Sequence, residues 1–339
     1  MNRSLDTHQL PGMPDALQPS EHDKRIHTKL RRELGRMYDF LQEEKVQEIF
    51  VNPNGSLFVD RAGQPRTHEG YVKPANILNL LSTVASSLNE TINRDKPHID
   101  GVLVLDGSRI SGEIPPMVSA PSLRIRKHAQ YVEPLSYFVD TGVMTGAQYA
   151  LIRECIKTRK NIIIVGSTGS GKTFLANSCL KDLAELTPED RVLTIEDTAE
   201  LNVSSKDALS WVTTPTVTMQ TMLYRALRAT PKRIVVGEVR GGEAYQLMKM
   251  WNTGHDGGLA TIHSNKGAMD GLTRLERMCG ESPEVNGMGR SWIRELVAEV
   301  VHVLINLTVH KEGRTISSII KVQGLDETQE QYAVKIIQR

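Results

Sequence analysis

The chain is poor in the groups that staple small secreted domains or bind nucleic acid broadly. Its three cysteines, Cys155, Cys179 and Cys279, are isolated and odd in number. Neither a disulfide framework nor a cysteine-based zinc site is therefore expected, and a reducing compartment fits. Aromatic residues are 5% of the 339 residues, which leaves few platforms for stacking single-stranded bases. Lys and Arg total 41 against 40 Asp and Glu, a formal net charge of +1. No broad field of one sign arises, and no stable nucleic-acid binding is expected. Apolar runs never reach the roughly 18 residues of a membrane span. The N-terminus, with Arg3 and Asp6 and no apolar segment, does not read as a cleaved signal. The expectation is a cytoplasmic protein.

What is present is ordinary for globular protein, 39% hydrophobic and 24% charged, at a length that suggests about two domains. Residues 1–20, with Pro11, Gly12, Pro14 and Pro19, read as a mobile tail. From His22 to Leu41 a helical period places Ile26, Leu30, Leu34, Met37, Phe40 and Leu41 opposite Lys24, Arg25, Lys29, Arg31, Arg32 and Arg36. That basic face suits a solvated helix covering its domain, or peripheral contact with anionic lipid. Strands are expected at 49–51, 56–59, 102–105, 109–113 and 122–126, with a helix at 75–88, so that residues 21–127 form an α+β domain. Residues 128–145, with Pro134 and Gly142 and no strong period, read as the linker.

Residues 146–339 form the second domain. A helix at 148–157 leads to an apolar strand, Asn161 to Val165, and then to Gly166-Ser167-Thr168-Gly169-Ser170-Gly171-Lys172-Thr173. This spacing is that of a phosphate-binding loop between strand and helix. Glycines let backbone N–H groups converge on phosphate oxygens at the positive end of the helix. Lys172 is expected at the β and γ phosphates of ATP, and the Thr173 hydroxyl on Mg²⁺. A plain glycine-rich turn is the bland alternative, and both flanks favour the phosphate site.

Beyond the loop, strands expected at 191–195, 211–213, 234–236 and 259–262 alternate with helices at 219–229, 243–251 and 269–278. This is an α/β pattern: a mainly parallel sheet covered on both faces, with ligands at the strand C-terminal ends. Glu196 and Asp197 close one strand and Glu238 another. Singly, each acid reads as a helix cap or a solvated end. Beside a phosphate loop they supply one carboxylate to prepare water and one to bind Mg²⁺. His263, at the end of the strand 259–262, is placed to hydrogen-bond a terminal phosphate. A metal pair of His255 and His263 with Asp256 would span a whole strand, and a structural role suits His255.

The order of these segments resembles the traffic ATPases of secretion systems and type IV pili. The carriers are residues 166–173, Thr194 to Leu201 (TIEDTAEL), Leu223 to Arg240 (LYRALRATPKRIVVGEVR) and Gly254 to Asn265, with a thinner match at 106–116 and 121–127. Within them the branch energising type IV secretion and conjugal transfer is the most similar. The resemblance implies a RecA-like P-loop NTPase domain after the N-terminal α+β domain. It also implies a homo-hexameric ring with ATP between the two domains, and inner-membrane secretion-channel or pilus-assembly proteins as partners. It assigns Glu196 as general base, Glu238 as the Walker B acid with Thr173 at the metal, and His263 near the γ phosphate. Arg109 and Arg126 become N-domain arginines that reach the nucleotide, and Arg225, Arg228 and Arg240 arginines around the Walker B strand.

Lys232 departs from the family pattern, which favours Asp there. The cysteine-pair module of the type II branch and the C-terminal signature of pilus-retraction motors are absent. Segments 301–309 and 315–322 read instead as a strand hairpin. A type IV pilus motor and a RecA-like nucleic-acid motor remain the alternative readings.

Overall fold

The computed structural model of the protein describes residues 21–61, 64–127, 132–214, 216–264, 266–310 and 313–338. It divides into two units, Met1–Gln130 and Tyr131–Arg339. The tail expected at 1–20 lies outside the described residues. Among those described, no helix is long and apolar enough to cross a membrane.

In the first unit, the helix expected from 22 to 41 is two helices, α1 (Glu21–Leu34) and α2 (Arg36–Gln42). The break is Gly35, at φ 51° and ψ −126°, a conformation that penalises any Cβ. Leu30, Leu34, Met37, Phe40 and Leu41 are buried, so the apolar stripe survives the break.

Six strands follow, namely β1 (Val46–Val51), β2 (Ser56–Arg61), β3 (Thr67–Tyr71), β4 (His98–Val102), β5 (Arg109–Glu113) and β6 (Ser122–Arg126), with α3 (Pro74–Ser87) between β3 and β4. Their order is β3-β2-β1-β6-β5-β4, antiparallel throughout. Helix α3 buries Ile77, Leu80, Leu81 and Val84 in the core with Ile49, Val59, Ile110 and Ile125.

The strand expected at 102–105 lies earlier in the chain, because residues 103–108 turn. Leu103 N–H donates to Ser108 O (2.7 Å), and the Asp106 carboxylate accepts from the Ser108 N–H (3.0 Å) and hydroxyl (2.7 Å), an Asx turn that competes with extended backbone. Strand β3, Thr-His-Glu-Gly-Tyr, has no apolar alternation and goes unread in the sequence; pairing with β2 defines it.

The second unit begins with residues that read as linker. Leu135, Phe138 and Met144 are buried in its core, with Phe138 on a short helix, α4 (Tyr137–Asp140). Helix α5 (Gly146–Lys157) starts at a reciprocal cap between Thr145 and Gln148. Then come β7 (Ile162–Gly166), α6 (Lys172–Leu186), β8 (Val192–Glu196), β9 (Ala208–Val212), α7 (Met219–Ala226), β10 (Arg233–Val239), α8 (Glu243–Trp251), β11 (Leu259–His263), α9 (Ala268–Gly280), α10 (Arg290–Val300), β12 (Val303–His310), β13 (Gly313–Leu325) and β14 (Tyr332–Gln338). Sheet order is β14-β13-β12-β7-β11-β10-β8-β9. From β12 to β9 every pairing is parallel, and β13 and β14 add antiparallel strands.

Alternation along β7 shows how both faces are covered. Ile163 and Val165 pack with α7, α8, α9 and α10 through Leu223, Leu247, Leu272 and Val297. Ile162 and Ile164 pack with α5 and α6 through Ile152, Leu175 and Leu180. The doubly covered, mainly parallel sheet agrees with the α/β expectation, while α10 and β14 are elements the sequence reading lacked.

At the N-terminal ends of the parallel strands, buried Arg233 donates through Nε to Asp190 Oδ2 (2.6 Å), through Nη1 to Gly257 O (3.1 Å) and through Nη2 to Ile156 O (2.9 Å). Asp190 also pairs with Arg159. Burial lowers the Arg233 pKa and the Asp190 carboxylate opposes that. The network ties α5 and the starts of β10 and β11 to the loop before β8, leaving the opposite strand ends for chemistry.

Candidate nucleotide-binding site

Strand β7, with three consecutive isoleucines, ends on Gly166, and α6 opens on Lys172 after Gly171 at φ 96° and Gly169 at φ 73°. Those left-handed glycines fold the loop back over the helix end, whose first N–H groups lack intrahelical acceptors. A Cβ at Gly166 would lie 2.6 Å from both Leu307 O and Ser170 Oγ, so only glycine fits there. Ser170 is fully buried, and its hydroxyl has no partner among the described residues.

Lys172 lies over its own loop, with Nζ donating to Gly166 O and Ser167 O at 3.1 Å each. Burial lowers its pKa, and the Glu238 charge opposes that shift. The fixed turn, the inward ammonium and the adjoining carboxylates fit a triphosphate with its divalent cation.

The acidic strand ends are neighbours, since β8 and β10 run parallel with Ile195 beside Val236. Their surroundings differ. Glu196 is 3% exposed, and its Oε1 accepts the backbone N–H groups of Glu200 (3.0 Å) and Leu201 (2.9 Å). A Cβ on Gly237 would come within 2.9 Å of Glu196 Cγ, so β10 packs directly against this side chain. Glu196 thus staples the segment that follows it.

The staple brings Glu200 to the phosphate loop, where its Oε2 accepts from the Thr173 hydroxyl at 3.3 Å. Asn177 on α6 fastens the same segment, donating to Glu200 O (3.0 Å) and accepting from Asn202 N (2.8 Å). No role for Glu200 is legible in the sequence alone. Its only signal was a third acid four residues beyond Glu196, a separation whose meaning depends on how the intervening turn folds.

Glu238 is held by Arg240, whose Nε and Nη2 donate to Glu238 Oε2 at 2.9 and 2.6 Å while Nη1 reaches Asp197 Oδ2 at 3.2 Å. The Glu238 hydrogen bond raises the Arg240 pKa. Arg240, expected around the Walker B strand, bridges the acids of two strand ends. Arg225 and Arg228 are exposed on α7 and the turn after it.

His263 ends β11 opposite Gly166, with Nδ1 3.3 Å from Thr168 Oγ1, and Ser264 N–H donates to Gly166 O at 3.1 Å. The phosphate loop, Glu200, Glu238, Arg240 and His263 therefore gather at one end of the parallel sheet. His255 lies at the other end of β11, its Nδ1 2.8 Å from Pro231 O, a structural contact. No cluster able to hold a metal through three His, Cys, Asp or Glu side chains occurs among the described residues. Arg109 and Arg126 belong to the first unit, paired across β5 and β6, with Arg126 Nε 3.5 Å from Glu48 Oε1.

A parallel sheet with a phosphate loop after its first strand, and acids closing the strands beyond, defines a P-loop nucleotide-binding unit. The chain belongs to the Type II/IV secretion system protein family, whose model matches residues 105–328. It is similar to the probable conjugal transfer protein TrbB of Sinorhizobium fredii, with 40% identity over 300 residues covering 88% of this chain and 90% of that protein. It is also similar to the conjugal transfer protein TrbB of Rhizobium radiobacter, 38% identical over 301 residues covering 88% and 91%. Among solved structures, the ATPase DotB of Legionella pneumophila shares the fold at a TM-score of 0.61 and 19% identity, covering 87% of this chain and 81% of that one.

Proposed function

We propose that the chain is a Mg²⁺-dependent ATPase that energises type IV secretion or conjugal transfer. The observation that carries this reading is the Thr173–Glu200 contact, which sets a carboxylate on the one hydroxyl of the phosphate loop suited to a divalent cation. Lys172 and the N–H groups of residues 167–173 hold the phosphates. Thr173 and Glu238 are the residues that would hold Mg²⁺, which when bound neutralises charge on the phosphates.

We assign the water-orienting role to Glu200 and a positioning role to Glu196. Glu196 is nearly fully buried and already accepts two N–H groups through one oxygen, whereas Glu200 is partly exposed beside Thr173. His263, bonded to Thr168, sits where loss of the terminal phosphate is felt. Arg240 can exchange its carboxylate partners for phosphate oxygens, the stronger anion. Arg109 and Arg126 add positive charge late in the cycle; an arginine so supplied can be worth roughly 10³–10⁵ in rate.

Assembly as a hexameric ring, a place at the cytoplasmic face of the inner membrane and work on secretion-channel or pilus-assembly proteins belong to the same proposal. Family membership and the names of the relatives support the secretion and conjugal-transfer part of it. Steady-state phosphate release from Mg-ATP tests the reading. The wild type turns over many times, Lys172→Ala does not, and equal release from both would refute the assigned site.

A further inference from the structure

The Arg314 guanidinium stands against the phosphate loop on the flank away from the acids. The strands carrying Glu196, Glu238 and His263 lie on one side of β7, and β12 and β13 on the other. β12 places Leu307 beside Gly166, and the hairpin returns with Arg314 opposite Val309. From that position the side chain reaches back over the loop. A Cβ built on Gly171 would lie 3.4 Å from Arg314 Nη1, 3.7 Å from its Cδ and 3.7 Å from Leu307 Cδ2. Arg314 is exposed, and among the described residues no carboxylate forms an ion pair with it. Lys172 and Arg240, by contrast, are engaged, Lys172 on loop carbonyls and Arg240 on Glu238 and Asp197.

A nucleotide whose terminal phosphate points to Glu200, Glu238 and His263 has its remaining phosphates at Gly171 and the start of α6. The flank opposite those residues, beside Leu307 and Arg314, then lies towards the rest of the nucleotide. We propose that Arg314 is a nucleotide-binding residue supplied by the β12–β13 hairpin of the same chain, engaging the α and β phosphates of a nucleoside di- or triphosphate. This rests on the ATPase reading of the site. Guanidinium suits the task because its planar fork binds phosphate oxygens bidentately. Because these phosphates stay after hydrolysis, Arg314 holds product as firmly as substrate, and the hairpin bears on ADP release.

Calorimetric titration of the full chain with ADP and with a non-hydrolysable ATP analogue, each with Mg²⁺, tests the assignment on wild type, Arg314→Ala and Arg314→Lys. Arg314→Ala weakens both ligands by about tenfold, the low end for a charge-assisted contact that is partly solvated, and Arg314→Lys recovers part of the loss. Unchanged ADP affinity in Arg314→Ala overturns the inference, and weakening confined to the analogue overturns it too, since that would place the contact on the γ phosphate. If the wild type binds neither ligand, the ATPase reading itself fails. If the wild type binds both and Arg314→Ala binds them equally well, only the role of Arg314 is lost.

Discussion

The Thr173 hydroxyl, at the start of α6, donates to the Glu200 carboxylate at 3.3 Å, joining the phosphate loop to the segment that leaves β8. That contact depends on two fasteners, the Glu196 carboxylate beneath the segment and Asn177 beside it. The placement of the Glu200 side chain beside the phosphate loop is thereby set by hydrogen bonds that the backbone of residues 200–202 makes to the side chains of Glu196 and Asn177.

Asn177→Ala removes one fastener without touching the phosphates. Turnover is expected to fall about tenfold while the ATP Kd changes less than about threefold, since positioning rather than binding is lost. Kinetics with parallel calorimetry checks this, and hydrogen exchange at residues 197–202 should rise in the variant.

The phosphate loop is legible from the sequence because its glycines answer a backbone demand, as Gly166 shows: no side chain fits between Leu307 O and Ser170 Oγ. Strands β7, β8, β10 and β11 are legible because strands buried on both faces must be apolar at consecutive positions. The rest depends on tertiary placement. Whether Glu196 or Glu200 faces Thr173 is decided by a turn folded over Asn177, and periodicity does not encode that. The break at Gly35 falls within an unbroken apolar stripe, and β3 has a composition indistinguishable from a loop. Arg314 approaches Gly171 only because β12 returns beside β7, so nothing local to residue 314 announces it.

Stability should decline in mild acid through His302. Its Nδ1 accepts the Asn161 N–H at 3.0 Å, and burial lowers its pKa below the ordinary 6.5, with Lys160 adding and Asp256 opposing. The folded protein resists a proton that the unfolded chain takes up. The contribution is therefore whole above the unfolded-state pKa and is lost as pH falls toward and through the folded one, at most about 1.4 kcal/mol per pH unit. Denaturant unfolding of wild type and His302→Asn between about pH 7.5 and 5 checks the sign. The variant should show the shallower decline.

Asp190 neutralises a guanidinium with no access to water. Asp190→Ala leaves Arg233 charged and buried, and is expected to destabilise the protein by about 3–5 kcal/mol. Replacing both partners with apolar residues, Asp190→Leu with Arg233→Met, should recover most of that. Denaturant midpoints of wild type and the two variants decide it, and an Asp190→Ala variant as stable as wild type would show that water reaches this network.

The division of labour between the two glutamates is tested most directly by the single-turnover rate of ATP cleavage on pre-bound nucleotide, measured for wild type, Glu196→Gln and Glu200→Gln. Glu200→Gln is expected to slow the chemical step by about 10²–10⁴ while ATP affinity stays near wild type. Glu196→Gln, which keeps an acceptor oxygen for the Glu200 and Leu201 amides, should slow it far less. A Glu200→Gln variant that cleaves at the wild-type rate, with Glu196→Gln inert, would contradict the account.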